Sequence, residues 1–319
     1  MILVADGAVT LASGTDVKLS SLQFGVNGQN DTLGGSFNIG PGTSLTVQDS
    51  VIVGNSAGGG AQSFGIFNQT GGTVDVNAPN TDGRNFVLGH WPQGKGAYNL
   101  SAGTLNSPNI SMAISWDGSG SFTQTGGTAD VRGLRFSHNN VLGTYDLTGG
   151  TLILGADGIW AQNAGLPTDL NLGGGTVRAG VNTVITLPVE LTGTGGDVTF
   201  DTNGNSLVVS GAISGAGGFL KTGEGTMEVV ASNTIGGTAN VTAGTVQFDA
   251  SETLGRLIIG PSAVVVLGGP PAPAPALFGE GEIGGDLSAN AAQAVPEPGS
   301  GVLILGGIAT LLGLRRRRD

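Results

Sequence analysis

The 319-residue sequence has no cysteine. Disulfides, thiolate metal sites and a cysteine nucleophile are therefore excluded. Charge is also scarce. Charged residues make up 11% of the chain, and only 12 are Lys or Arg. Four of those form one run, Arg315 to Arg318, so the body is more acidic than the net charge of −11 implies. Phosphate backbones need a basic surface, which argues against nucleic acid as a partner. Histidine occurs twice, at His90 and His138, and neither lies in a spaced metal pattern such as H-E-x-x-H. Between residues 56 and 190 no stretch shows a helical period bounded by caps.

Glycine is what the chain has in excess, 61 residues of 319, against a usual share of about 7%. It follows no three-residue period, which excludes collagen. Hydrophobic residues reach 39%, enough apolar surface to argue against disorder. The glycines punctuate short runs of Val, Leu, Ile, Thr and Phe, the pattern of strands between turns.

One segment recurs. Phe67-Asn-Gln-Thr-Gly-Gly-Thr73, Tyr98-Asn-Leu-Ser-Ala-Gly-Thr104, Phe122-Thr-Gln-Thr-Gly-Gly-Thr128, Tyr145-Asp-Leu-Thr-Gly-Gly-Thr151 and Leu170-Asn-Leu-Gly-Gly-Gly-Thr176 each lead into an apolar residue. The last four threonines follow one another at about 24 residues, a period typical of stacked repeats. Each unit reads as three short strands, for example 143–147, 151–154 and 158–161, with apolar and polar residues alternating. Glycine suits the sharp corners, and each following Thr is expected beside the Thr of the next unit. The reading is an all-β, right-handed parallel β-helix (β-solenoid) with one C-terminal transmembrane helix. Its regions are irregular first coils (1–55), the Gly-Gly-Thr repeats (56–190), further coils (191–291), a linker with a Pro-Glu-Pro motif (292–298) and a membrane span with a basic tail (299–319).

Two resemblances refine this. Residues 198–250, with Leu220-Lys-Thr-Gly-Glu-Gly-Thr226, Gly236-Gly-Thr238 and Ala243-Gly-Thr-Val246 in order, resemble the autotransporter-associated β-strand repeat of surface proteins. That family has no catalytic residues to carry over. Pro296-Glu297-Pro298, an apolar run to Leu314 and Arg315, Arg316, Arg317 and Arg318 resemble the PEP-CTERM sorting signal. This resemblance implies an exosortase-type protease as partner, a transient inner-membrane anchor through 299–314, and release to the cell surface or extracellular matrix. The run of about 16 apolar residues is at the short edge of a bilayer span, and the arginines stay cytoplasmic by the positive-inside rule. Met1 to Ala5 is too short for a secretory signal before Asp6-Gly7, so a true start upstream of Met1 is expected.

Other motifs carry less. Gly54-Asn-Ser-Ala-Gly58 fits a nucleophile elbow, but Gly58-Gly-Gly60 replaces the required helix. Lys221-Thr-Gly223 matches a β-lactamase triplet with no S-x-x-K anywhere. Asp201, Asn203 and Asn205 echo a Ca²⁺ loop without its Glu at the twelfth position. Trp91, Trp116, Trp160, Tyr98 and Tyr145 are candidates either for stacking on sugars or for filling the core. No catalytic residue, metal ligand or cofactor site is assigned. The expected function is a non-enzymatic surface or matrix protein acting in adhesion or polysaccharide contact. The alternative is a polysaccharide lyase or hydrolase, disfavoured because paired acids are not seen.

Overall fold

A computed structural model describes residues 2–5, 7–25, 34–56, 62–79, 85–136, 139, 141–163, 165, 167–268, 281–287 and 302–305. In chain order the strands are β1 Ile2–Ala5, β2 Ala8–Thr10, β3 Asp16–Phe24, β4 Gly35–Ile39, β5 Ser44–Asn55, β6 Ser63–Val76, β7 Phe86–His90 and β8 Gly94–Ser107. Next come β9 Met112–Ile114, β10 Ser119–Phe136, β11 Gly143–Ala161, β12 Thr168–Leu172, β13 Thr176–Ala179, β14 Thr183–Ile185, β15 Val189–Leu191 and β16 Val198–Asp201. The last are β17 Ser206–Val209, β18 Ile213–Gly215, β19 Phe219–Thr222, β20 Thr226–Val229, β21 Asn233–Phe248, β22 Glu252–Leu267, β23 Gly281–Leu287 and β24 Val302–Leu305.

The described residues are all-β. Every pairing is parallel except β22 with β23. Successive repeats lie side by side in the register that the threonines foretell: Ser44, Thr73, Thr104, Thr128, Thr151, Thr176 and Thr199 are consecutive partners.

The expected fold needs correction on two counts. First, the strands do not break at each corner. The segments 143–147, 151–154 and 158–161 are one strand, β11, which pairs in turn with β12, β13 and β14. Such long strands join what a β-helix would keep as separate ladders. As a result, the pairing β11–β13–β16–β19–β21–β20–β17–β14 returns to β11, a closed circuit of eight parallel strands with the others outside it. This closed barrel with outer strands replaces the right-handed parallel β-helix (β-solenoid) of the sequence reading. Second, no helix among the described residues is long and apolar enough to cross a membrane. The described part of the expected transmembrane helix, Val302–Leu305, is a strand paired with Val264–Leu267. Four consecutive apolar residues suit either state, and here β22 offers a hydrogen-bonding edge.

Glycine lets the chain turn without losing the ladder. Gly150 has φ +79°, and a Cβ there would lie 2.4 Å from the Gly127 carbonyl oxygen. Gly158, at φ +65°, would place one 2.0 Å from the Val184 oxygen. No L side chain fits either position.

Inward residues form one continuous core from Leu19 to Leu267. An aromatic column runs through it: Phe37, Phe67, Tyr98, Phe122 and Tyr145 occupy the same register position in successive units. Phe67 and Tyr98 stack with centroids 4.5 Å apart, and Phe122 and Tyr145 lie 5.0 Å apart. Each such pair contributes about 0.5–1.5 kcal/mol beyond the area it buries.

Candidate functional site

The outward rows are polar, and many of their members are already engaged with each other. Asn68 Nδ2 donates to Asn38 Oδ1, and Asn99 Nδ2 to Asn68 Oδ1, both at 2.9 Å. Asn171 continues the row by donating to Asp146 at 2.7 Å. Asp75 accepts from Asn106 at 2.7 Å. Asp157 accepts from Ser111 and pairs with Arg132 at 2.9 Å. These carboxylates hold neighbouring layers together.

The Ca²⁺-like stretch has a similar role. Asp201 Oδ2 faces Arg178 Nε at 3.2 Å, and Asn203 Oδ1 accepts from Arg178 Nη2 at 2.9 Å. Asp201 Oδ1 also accepts the Asn203 N–H, closing a turn in which Asn203 has φ +49°. Arginine occupies the oxygens that a cation would need.

The five aromatic candidates separate by burial. Tyr98 and Tyr145 are fully buried in the core. Trp116 is buried against Arg135, whose guanidinium carbon lies 4.1 Å from its ring centroid and 5.9 Å from that of Trp160. Trp91 alone of the five is largely open, at 45% exposure. Its backbone is left-handed, with φ +66°, a strained state for a bulky residue that the surroundings must hold. The Trp91 carbonyl accepts from the Gly94 N–H at 2.8 Å, which closes the turn. The Trp91 ring meets His90 edge-on at 5.1 Å, His90 Nδ1 contacts Asn55 Oδ1 at 3.0 Å, and Asn55 Nδ2 donates to Gln23 at 3.0 Å.

Close to Trp91 in the chain lies a groove of about 250 Å³. Phe64 and Leu142, 41% and 43% exposed, flank it. Lys95, Ser119, Ser121 and Thr144 supply polar atoms, and Gly96, Ala97 and Gly120 complete the lining. Phe64, Lys95 and Ser119 are register partners on adjacent strands, so the groove crosses the strands at about 4.8 Å per step. Lys95 Nζ is steadied by Gln62 Oε1 at 2.7 Å. A larger hollow of about 540 Å³, lined by Ala161, Pro167, Thr168, Leu187 and Pro188 among others, has no charged side chain among the described residues of its wall.

Of the other sequence candidates, Ser56 is buried and its N–H donates to the His90 carbonyl. His138, Gly58 to Gly60 and the whole sorting signal (Pro296, Glu297, Pro298, Arg315, Arg316, Arg317 and Arg318) lie outside the described residues.

Several buried polar residues escape the sequence reading. Gln69 and Gln124 are fully buried in the core. Each accepts from the tyrosine of the next unit, Tyr98 at 2.6 Å and Tyr145 at 2.8 Å, and donates to two carbonyls, one in its own corner and one in the next unit. The signal was present as an alternation: Phe-x-Gln units precede Tyr-x-Leu units. Burial raises the pKa of both phenols well above the ordinary value. Tyr145→Phe is expected to cost about 1–3 kcal/mol by stranding the Gln124 oxygen. Adding Gln124→Leu, the residue used at 100 and 147, removes the stranded oxygen but also the donor to the Gly127 and Thr151 carbonyls, so it is expected to recover only part of the loss, as chemical denaturation of the two variants will show.

No family model matches this chain, and neither a curated protein nor a solved structure does.

Proposed function

We propose that this protein is an exported, non-catalytic surface or extracellular-matrix protein that holds polysaccharide on its outer face. The observation that carries the reading is the groove flanked by exposed Phe64 and Leu142, with exposed Trp91 four residues before its Lys95. An aromatic face, a lysine and a row of hydroxyls are the groups that bind a sugar's apolar and polar sides. The engagement of Asp75, Asp146, Asp157 and Asp201 in bonds between layers also favours a scaffold over an acid-pair enzyme. Delivery outside rests on the C-terminal motif and its resemblance to the PEP-CTERM signal, with an exosortase-type protease as the processing partner. Repetition of weak contacts along one surface would supply avidity.

The test is affinity electrophoresis against a panel of neutral and acidic polysaccharides, with reducing-end release assayed in parallel. Retardation by at least one polysaccharide is expected, weakened about tenfold, or ~1.4 kcal/mol, by Phe64→Ala or by Trp91→Gly. Glycine is chosen at 91 because it suits the left-handed backbone. Turnover of any polysaccharide would instead favour the lyase or hydrolase reading. Binding indifferent to both substitutions would remove the groove from the account.

A further inference from the structure

One cation stands apart in this acid-rich chain. Arg178 pairs with Asp201, Arg132 pairs with Asp157, and Lys221 is spent on backbone carbonyls in the core. Lys95 is exposed, and among the described residues its ammonium meets only the neutral side-chain oxygen of Gln62, at 2.7 Å. An ammonium has three protons to donate, so two remain. Lys95 is also the only charged side chain among the described residues that line the groove.

The strands set the groove's other groups in two rows. Phe64, Lys95 and Ser119 are register partners, and Leu142 extends the row because it precedes Gly143, the partner of Gly120. Ala97, Ser121 and Thr144 are partners two residues further along the same strands. The first row spans three steps of about 4.8 Å, and the second lies about 7 Å beside it. In the first, an aromatic ring and an alkyl side chain enclose a cation and a hydroxyl. The second holds a methyl and two hydroxyls. Phe64 and Leu142 are 41% and 43% exposed, so both ends of the first row are open to solvent.

A ligand that uses all of these groups is a chain of rings with apolar faces, hydroxyls and a carboxylate on one edge. A ring face rests on Phe64, hydroxyls meet Ser119, Ser121 and Thr144, and the carboxylate takes the two remaining protons of Lys95. A neutral sugar would strip water from the ammonium and return only ordinary hydrogen bonds. A carboxylate returns bonds in which both partners are charged, about twice as strong as neutral ones. The net charge of −11 does not reverse this, because at physiological salt charges more than about 8 Å apart are largely screened.

We propose that the groove selects an acidic polysaccharide, a uronate chain lying along the Phe64–Leu142 row with one carboxylate on Lys95. This rests on the saccharide reading above and adds the ligand's charge to it.

Calorimetric titration of the full chain tests it. Polygalacturonate, polymannuronate and hyaluronan are each set against their carboxyl-reduced forms, which differ only in the charged group. At least one acidic chain is expected to bind about tenfold tighter than its reduced form. Lys95→Gln is expected to erase that difference and to leave binding of the reduced form as it was. Lys95 is exposed, so the variant is expected to fold, and a circular dichroism melt checks this. Phe64→Ala is expected to weaken both forms alike. Reduced chains bound as tightly as acidic ones, or a preference that survives Lys95→Gln, would overturn the proposal and leave the saccharide reading in place. Polyglutamate bound as tightly as the uronates would show a site for charge alone and would overturn it equally. Binding of no chain, acidic or reduced, would remove both the proposal and the saccharide reading.

Discussion

Replacing Lys221 by alanine is expected to cost about 4 kcal/mol of unfolding free energy, the joint effect of an emptied core site and lost charged hydrogen bonds. Lys221 has no exposed surface, and its register neighbours are the core residues Phe200 and Val241. Its stem packs as a hydrophobic side chain would. Its ammonium donates to the carbonyls of Thr222 and Gly223 at 2.8 Å and of Ala243 at 3.0 Å. Thr202, in the preceding unit, serves the same corner: its hydroxyl donates to the Glu224 carbonyl at 2.7 Å. Lys221→Met keeps the stem and removes the donors, so it is expected to recover about half of the loss. Equilibrium unfolding in urea separates the two contributions. If the methionine variant matched the original, the carbonyls would need no donor and the lysine would be mere filler.

Lys221 also sets a pH dependence. Burial lowers its pKa from 10.5 to about 8, against the opposing pull of Asp201 and Glu224. Between these values the unfolded chain binds more protons than the folded one, so stability rises with pH through that window. Tyr98 and Tyr145 oppose the rise above about pH 10, where the unfolded phenols ionise and the buried ones do not. The gain should therefore appear between about pH 8 and 10, and Lys221→Met should abolish it.

Glu252→Gln is expected to stabilise the protein by a few kcal/mol at pH 8, with little effect at pH 4.5. Glu252 is 1% exposed. Its Oε1 accepts from Asn233 at 2.9 Å, while Oε2 has no partner among the described residues. Burial raises its pKa from 4.5 to about 8, only partly countered by the Asn233 bond. The folded chain therefore holds a proton that the unfolded chain has released, and stability falls as pH rises from 4.5 to 8. A glutamine keeps the acceptor for Asn233 and carries no charge. Together, Glu252 and Lys221 give the unaltered protein a stability minimum near pH 8. Thermal melts from pH 4.5 to 10 check this, and a flat profile in both proteins would contradict it.

The parallel stacking was legible in the sequence because it depends on period and alternation. The spacing of Thr104, Thr128, Thr151 and Thr176 fixed which units are neighbours, and the glycine before each Thr marked the corner. Short apolar runs in the first region, such as Ser44 to Val47 and Val51 to Val53, were recognised, although β5 spans both. The closure of the pairing was not legible. It depends on whether hydrogen bonding continues through a glycine corner, as in β11, and composition is silent on that. The membrane helix inferred from hydropathy failed where it is described because Val302 to Leu305 are equally apolar in a strand.

The candidate site was less legible still. Trp91 stood among five aromatic candidates, and only the left-handed turn after β7 distinguishes it. Phe64, Lys95 and Leu142 are far apart in sequence and unremarkable in type. They meet because β6, β8, β10 and β11 are successive neighbours, with Leu142 immediately before β11. Lys221 read as part of a repeat motif, and its burial follows from an inward register position that alternation alone would assign to an apolar residue. Glu252 gave no signal at all.

The central claim is that successive units lie in parallel, threonine beside threonine. The absence of native cysteine makes disulfide trapping a clean measurement of it. Thr128→Cys with Thr151→Cys places two thiols at partner positions, where Cα atoms about 4.8 Å apart satisfy disulfide geometry. Thr128→Cys with Ile153→Cys shifts one thiol two residues along the same face, about 8 Å away and out of reach. Oxidation of the folded protein followed by mass spectrometry should show rapid closure of the first pair and none of the second. Closure of the second pair, or of neither, would contradict the register on which the whole arrangement is built.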